Sequence, residues 1–239
     1  MTAQDPEQNR EQERAFARAR RRLVEELRFQ GISDERVLKA IWETPRHEFV
    51  LEEYKPYAYE NRPLPIEDGQ TISQPYIVAY MLEKLELKPA DKVLEIGTGS
   101  GWQTALLAKL AAEVYTVERS AILLEKAKRR LTAMGYRNVH FKLGNGTLGW
   151  PEHAPYHAII GSGSVPRVPP SLKSQLADGG RLVIPVGERH FQKIVLVRRC
   201  GGEYVEQKLV DCSFLPLIGA EGWPGPEPEP DGEGEAAGE

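Results

Sequence analysis

The sequence lacks long apolar runs, a hydrophobic leader segment and a cluster of cysteines. Among its 239 residues, no apolar stretch approaches the roughly 18 to 20 residues that a membrane-spanning helix needs, so we expect no membrane insertion. The N-terminus is polar and shows no secretory signal, which predicts a cytoplasmic location. Cys200 and Cys212 are the only cysteines, and no cysteine and histidine spacing suits zinc. We therefore predict reduced thiols and no metal.

The sequence also lacks a large excess of either charge. It contains 31 Lys and Arg against 35 Asp and Glu, and seven of those acids lie in residues 221–239. This segment has no Lys or Arg and is rich in glycine and proline. We therefore predict that residues 220–239 form a disordered acidic tail. Its removal after Gly219 should leave turnover unchanged. The remaining chain is close to neutral, so we expect it to bind no nucleic acid. We also expect a monomer.

The first 74 residues predict helices followed by a covering segment. Apolar residues at helical spacing indicate an amphipathic surface helix over residues 16–27, which fits better than a phosphate patch formed by the arginine-rich stretch 18–22. Gly31 ends this helix, and a second helix should end before Pro45. Residues 45–74 show no sustained period. Loops this long in compact domains are usually functional, so we expect this one to cover a binding site.

We predict that residues 75–219 form the main domain. A helix is expected over residues 75–87, and from residue 91 short apolar runs alternate with helical stretches, as in a parallel sheet covered on both faces. The expected strands are KVLEIG, EVYTVE, NVHFKL, YHAIIG, RLVIPVG and KIVLVRR, and the expected helices are 102–110, 120–134 and 170–177. This alternation predicts a doubly wound α/β sandwich. The glycine pair 201–202 predicts a hairpin and hence an antiparallel edge.

A glycine-rich turn follows Glu95 at the end of the first of these strands and contains Gly97, Gly99 and Gly101. Glycines at a strand-to-helix turn let the backbone approach a ligand and direct amide donors at it. A dinucleotide fingerprint would need a glycine at position 102, where the chain has tryptophan, which argues against NAD. These residues predict a nucleoside cofactor site.

Glu118 ends the second strand of the domain, 21 residues after Gly97. A carboxylate there can accept hydrogen bonds from both hydroxyls of a ribose, and it would repel the 2′-phosphate of NADP. The alternative is a solvated charge at a strand end, but the neighbouring glycine turn favours the ribose role.

Asn145 and Gly146 follow the third strand. An Asn-Gly pair is typical of a hairpin. At the carboxyl edge of a parallel sheet, however, the amide of Asn145 could both donate to and accept from the adenine of a nucleoside cofactor. We favour the cofactor role on context, and the hairpin remains open.

Four segments of the chain resemble the protein-L-isoaspartate O-methyltransferases. They are GQTISQP at 69–75, VLEIGTGSGWQTALLA at 93–108, GRLVIPVG at 180–187 and FLPLIG at 214–219. The resemblance spans about residues 45–219. It implies a Rossmann-like fold that uses S-adenosylmethionine to esterify the carboxylate of L-isoaspartyl residues in damaged proteins. The ester then collapses to a succinimide, which reopens.

By this resemblance Ser73 would hold the substrate carboxylate, and Thr71 and Ile72 would contact the cofactor. A carboxylate is already ionised at pH 7, so the reaction needs no general base, and alignment with the methyl group can supply the acceleration. A serine just before a helix could instead cap it, and the two roles of Ser73 are compatible. An extended substrate could also pair with an exposed edge of the covering segment.

Three positions depart from the family pattern. Asn145 and His157 stand where the family usually has aspartate, and residues 161–165 replace a small apolar run. Ser162 and Ser164 add hydroxyl groups there, which predicts either substrate contacts or a surface turn. We expect His157 to be buried, neutral and bonded to backbone.

Other functions stay open at this point. The chain could methylate an aspartyl carboxylate of one dedicated peptide, or it could bind S-adenosylmethionine without catalysis. An NAD dehydrogenase is disfavoured by Trp102.

Overall fold

The computed structural model describes residues 6–225. Two helices begin the chain, α1 (Pro6–Phe29) and α2 (Glu35–Glu43). Leu23 and Leu27 on α1 are buried, which confirms the predicted amphipathic helix. The carboxylate of Asp34 caps α2 by accepting hydrogen bonds from two backbone N–H groups of its first turn. Within the described residues, no helix is both long and apolar enough to cross a membrane.

Residues 45–74, predicted to be irregular, form short elements without a common period. Two 3-10 helices, Arg46–Phe49 and Glu52–Tyr57, are followed by the antiparallel strands β1 (Leu64–Pro65) and β2 (Thr71–Ile72). Helix α3 (Pro75–Leu85) comes next, and its proline occupies the first turn, where a missing N–H costs little.

The central sheet has seven strands in the order β5-β4-β3-β6-β7-β8-β9. Its strands are β3 (Lys92–Ile96), β4 (Glu113–Glu118), β5 (Val139–Leu143), β6 (Tyr156–Gly161), β7 (Leu176–Glu188), β8 (Phe191–Cys200) and β9 (Glu203–Cys212). Pairings among β3 to β7 are parallel, and β7-β8 and β8-β9 are antiparallel. The predicted sandwich with an antiparallel edge is confirmed.

The two faces of the sheet are covered unequally. Helices α1 to α3 pack on one face together with α4 (Trp102–Leu110) and α5 (Ala121–Ala133). The other face carries the short helix α6 (Pro170–Ser174) and aromatic side chains around Tyr115 and Tyr156. The difference follows from the connections, since the link from β5 to β6 contains only 3-10 turns, Gly146–Leu148 and Pro151–His153.

Two local predictions are wrong. Helix α6 ends at Ser174 rather than at 177, because Leu176 already pairs with Tyr156 of β6. His157 is bonded to backbone as expected, since the N–H of Lys92 donates to its Nδ1 at 2.9 Å. However, its ring is exposed at the amino end of the sheet rather than buried.

The boundary predicted for the acidic tail is also wrong. Residues 221–223 pack on the body: the Glu221 carboxylate accepts hydrogen bonds from the N–H of Ser171 at 2.9 Å and from its hydroxyl at 2.7 Å. The N–H of Trp223 donates to the Leu217 carbonyl at 2.8 Å. The composition of the segment did not predict these contacts, because only Glu221 and Trp223 supply them and the other residues of the segment are unsuited to folding. The rest of the predicted tail, 226–239, lies outside the described residues.

Candidate active site

A cavity of about 590 Å³ opens at the carboxyl ends of β3, β4 and β6. The chain moves outward from β3 to β5 and then returns to β6 on the other side of β3. Ligands of open α/β sheets bind at such a reversal of strand order. Seven of the residues predicted for the site line the cavity: Thr71, Ile72, Ser73, Gly97, Gly99, Glu118 and Ser162.

The glycine turn after β3 needs glycine for two different reasons. Gly97, Gly99 and Gly101 all have positive φ, +90°, +53° and +86°, which other residues rarely adopt. Gly97 and Gly99 face the cavity. Gly101 does not: a Cβ there would stand 3.2 Å from the Cβ of Ala127, so this glycine lets α5 pack against the start of α4.

Glu118 at the end of β4 is held by three backbone donors. Its Oε2 accepts from the N–H of Gly99 at 3.0 Å, and its Oε1 accepts from the N–H groups of Arg119 and Ser120 at 2.8 and 2.9 Å. These bonds fix the carboxylate at the cavity wall and occupy three of its roughly four lone-pair sites, so Oε2 can still accept a further hydrogen bond. The arrangement suits recognition of a sugar hydroxyl group.

Glu95 has a different environment from Glu118. It is fully buried behind the glycine turn and accepts hydrogen bonds from Thr104 Oγ1 (2.6 Å), Thr116 Oγ1 (2.8 Å) and Gln103 Nε2 (3.0 Å). Burial outweighs these bonds and raises its pKa to about 7. Glu95 does not line the cavity, so it braces the turn from behind.

Ser73 lies on the covering segment between β2 and α3 and faces the cavity. Helix α3 has Gln74 as its N-cap and no side-chain capping bond, so the capping alternative for Ser73 is not realised. The Ser73 carbonyl accepts a hydrogen bond from Arg46 Nη2 at 3.0 Å. Among residues 6–225 no hydrogen-bond partner takes the Ser73 hydroxyl, so it can donate to a ligand in the cavity.

Arg46 joins several parts of the covering segment. Besides Ser73, its guanidinium donates to the carbonyls of Ala58 at 2.6 Å and Arg62 at 3.3 Å. It lies 5.2 Å from the ring centre of Trp102, a residue of the cavity wall. Its burial lowers its pKa to about 9. Sequence reasoning missed Arg46, since nothing in the sequence links it to carbonyls 12 to 27 residues away.

Three further predicted residues do not reach the cavity. Asn145 caps a 3-10 helix instead of forming a hairpin, because its Oδ1 accepts from the N–H and the hydroxyl of Thr147 at 3.1 and 2.8 Å. Gly146 packs so closely on Ile96 that a Cβ would stand 2.5 Å from its Cγ2. Ser164 is fully buried, and its hydroxyl lies 3.4 Å from the carbonyls of Phe214 and Leu215.

Several wall residues were not predicted as site residues. The largest group is Leu215–Ile218, which follows β9 and reaches the site because Pro216 bridges to Ser164 beside β6. Its signal was the FLPLIG segment of the resemblance, which carried no residue roles. The remaining unpredicted wall residues belong to the covering segment and to elements bordering the turn: Asp68, Gln70, Val78, Thr98, Ser100, Trp102, Gln103, Arg119, Ser120, Leu123 and Gly163.

Known proteins are similar to this chain in both architecture and sequence. The family model of protein-L-isoaspartate(D-aspartate) O-methyltransferases matches residues 18–222. A protein-L-isoaspartate O-methyltransferase of Dictyoglomus thermophilum is 54% identical over 208 residues, covering 87% of this chain and 94% of that protein. One from Koribacter versatilis is 51% identical over 209 residues, with 87% and 94% covered.

Solved structures agree. A protein-L-isoaspartate O-methyltransferase superposes with a TM-score of 0.77 at 32% identity, covering 85% of this chain and 67% of the other. A putative enzyme of that name from Plasmodium falciparum, in complex with S-adenosyl-L-homocysteine, has a TM-score of 0.72 at 25% identity, with 82% and 96% covered. Since the family model and these relatives all extend over most of the chain, it belongs to the protein-L-isoaspartate(D-aspartate) O-methyltransferase family.

Proposed function

We propose that this protein transfers a methyl group from S-adenosylmethionine to the free carboxylate of L-isoaspartyl residues in damaged proteins, and thereby initiates their repair. One observation carries the proposal for the site. A single cavity brings together the Ser73 segment, the glycine turn and the Glu118 carboxylate, which come from separate parts of the chain.

The cavity suits a nucleoside with a cationic methyl donor. Glu118 lies at the cavity wall and keeps an acceptor site on Oε2, and Gly97 permits close approach of a ligand to the backbone. In the proposal Glu118 accepts from the ribose hydroxyls, while Gly97, Gly99, Thr71 and Ile72 surround the rest of the cofactor. When bound, S-adenosylmethionine supplies an electrophilic methyl group.

The residues of the chain act by holding the substrate, not by moving a proton. Asp and Glu side chains titrate near pH 4, so a carboxylate nucleophile is ionised at pH 7 and needs no base. The Ser73 hydroxyl donates to one carboxylate oxygen and limits its rotation. Alignment of this kind is worth about 7 to 11 kcal/mol in well-oriented model reactions.

The covering segment would also receive the substrate backbone. Among the described residues β2 pairs with β1 alone, so its other edge could pair with an extended peptide. Backbone pairing would tolerate many flanking sequences. Strong dependence of KM on the side chains flanking the isoaspartate would contradict this part of the proposal.

The alternatives raised by the sequence are less well supported. The relatives do not support a dedicated aspartyl peptide or a non-catalytic binding role. They are named protein-L-isoaspartate O-methyltransferases, and the match covers nearly their whole length. A monomeric state, a cytoplasmic location and the absence of nucleic-acid binding stay predictions.

The test uses the full chain with methyl-labelled S-adenosylmethionine and two peptides that differ only in an L-isoaspartyl or an L-aspartyl residue. We expect label in a base-labile ester on the isoaspartyl peptide alone. Equal labelling of both peptides, or none of either, would contradict the proposal. Ser73→Ala should lower kcat/KM for the peptide at least about tenfold, the effect of one hydrogen bond to a charged group, while cofactor binding persists.

A further inference from the structure

Gln103, on the first turn of α4, connects the buried carboxylate of Glu95 with a hydroxyl in the cavity wall. Its Nε2 lies 3.0 Å from Glu95 Oε1 and 2.7 Å from Ser162 Oγ. The other carboxylate oxygen of Glu95 is taken by the hydroxyls of Thr104 and Thr116. An amide nitrogen has two N–H groups, and here each has its own acceptor.

This arrangement determines what the Ser162 hydroxyl can do. A serine hydroxyl has one proton and two lone pairs. One lone pair of Ser162 accepts from Gln103, so the hydroxyl proton must point elsewhere. Among residues 6–225 no acceptor takes this proton, and Ser162 is half-buried at the cavity wall. The hydroxyl is thus a donor available to a ligand.

The position of Ser162 is fixed by backbone contacts. It follows β6, and its N–H donates to the Ile96 carbonyl at the end of β3 at 2.8 Å. A Cβ on Gly97 would stand 3.4 Å from the Cβ of Ser162, so the serine lies directly against the glycine turn. Ser73 reaches the same cavity from the covering segment. The two hydroxyls therefore approach the cavity from different elements.

We propose that Gln103 is a positioning residue that, held by Glu95, directs the Ser162 hydroxyl to donate to the substrate carboxylate, with Ser73 donating to its other oxygen. Two donors from different elements fix the plane of the carboxylate as well as its distance, which a single hydroxyl does not. This inference rests on the proposed function and assigns the substrate-binding step of that site to three residues, Ser73, Ser162 and Gln103.

The test compares Ser162→Ala, Ser162→Thr, Gln103→Met and the double variant Ser162→Ala/Gln103→Met in the full chain. We expect Ser162→Ala and Gln103→Met each to lower kcat/KM for an isoaspartyl peptide about 10-fold or more, the range for one hydrogen bond to a charged group. The double variant should lose no more than the more damaged single variant, because Gln103 acts through Ser162. Ser162→Thr keeps the hydroxyl and should retain most activity.

Three measurements separate this role from a structural one. The dissociation constant for S-adenosylmethionine, measured by calorimetry, should stay within about twofold of the parent value in every variant. The melting temperature of Ser162→Ala should match that of the parent. Gln207→Met, the same change on the exposed side of β9, should behave like the parent in all assays.

Three results would overturn the inference: full activity of Ser162→Ala, multiplicative losses in the double variant, or a loss confined to cofactor affinity. Each of these requires an active parent enzyme. A parent that methylates no isoaspartyl peptide would instead refute the proposed function itself.

Discussion

Glu95 and Glu118 lie on neighbouring parallel strands and differ in how far sequence could predict them. Spacing from the glycine turn located Glu118, because the second strand of such a fold ends beside the first. The same reasoning placed Glu95 next to the cofactor. The structure turns its side chain away from the cavity toward Thr104 and Thr116. Sequence order gives no information on the side of the turn that a buried carboxylate faces.

Replacing Glu118 should weaken cofactor binding. Glu118→Ala removes the acceptor proposed for the ribose hydroxyls, so the dissociation constant for S-adenosylmethionine should rise at least about tenfold, since hydrogen bonds to charged groups contribute about 1.5 to 3 kcal/mol. Titration calorimetry measures this. Glu113→Ala, at the exposed opposite end of β4, is the matched control and should bind normally. Equal affinity of Glu118→Ala and the parent would remove Glu118 from the site.

Glu95 should make the stability of the protein depend on pH. Burial raises its pKa from the ordinary 4.5 to about 7, so between these values the folded state keeps a proton that the unfolded chain has released. The free energy of unfolding should therefore fall as pH rises from about 4.5 to 7, and the contribution of Glu95 should then level off.

Glu95→Gln cannot titrate and should lack this contribution. Urea unfolding at pH 5 and pH 8 should show a smaller decrease in the free energy of unfolding for the variant than for the parent, by up to about 3 kcal/mol. All other titrating groups are shared, so the difference reports on Glu95. Identical decreases in the two proteins would show that Glu95 is not buried as a titrating acid.

At the scale of elements, predictability followed the length and regularity of each segment. Helices α2 to α5 and strands β3 to β6 and β8 were predicted nearly to their ends, whereas α1 begins ten residues and β7 five residues before the predicted start. The segment 45–74 has only 3-10 turns and two-residue strands, whose side chains show no period. Long-range bonds such as those of Arg46 hold this segment in place, and local sequence does not encode them.

Arg46→Lys tests how the covering segment is held. Lysine keeps the positive charge but cannot reach three carbonyls with one planar group. At least one buried carbonyl should lose its partner, at a cost of about 1 to 3 kcal/mol. We expect a lower free energy of unfolding in urea and faster proteolysis within residues 58–73. The same change at the exposed Arg62 is the control, and equal stability of the two variants would contradict the role of Arg46.

The C-terminal segment should matter for activity up to residue 225 and not beyond. Truncation after Gly219 removes Glu221, which bonds to Ser171 of α6, and Trp223, which bonds to the Leu217 carbonyl in the Leu215–Ile218 wall. We expect a lower melting temperature and a kcat/KM reduced about tenfold, consistent with the loss of hydrogen bonds worth about 1.5 kcal/mol. Truncation after Gly225 should preserve both values. Parent-like behaviour of the shorter chain would restore the tail boundary first predicted.

At the scale of the whole molecule, the N-terminal helices and the sheet share one core. Leu23 and Ile41 from the first segment belong to the same buried cluster as Val93 and Val183 of the sheet. The predicted division at residue 75 thus marks a change of pattern along the chain rather than a break in packing. Sequence alternation predicted the sheet and its central turn, whereas the cavity walls contributed by distant segments depended on tertiary contacts.

A shared core predicts a single unfolding transition that the cofactor shifts as a whole. At a concentration of about 100 times its dissociation constant, a ligand stabilises the folded state by about 2.7 kcal/mol. For a chain of this size that corresponds to an increase in melting temperature of about 5 to 10 °C. Scanning calorimetry with and without S-adenosylhomocysteine measures the shift. Two separate transitions, only one of which moves, would contradict a common core.

The cavity wall at Leu215–Ile218 also has a consequence for biosynthesis. Leu215–Ile218 are translated after the glycine turn and the covering segment. A nascent chain on the ribosome therefore has most of the cavity residues before it can enclose a ligand. Prematurely terminated products that end within the final hairpin should therefore be inert toward proteins.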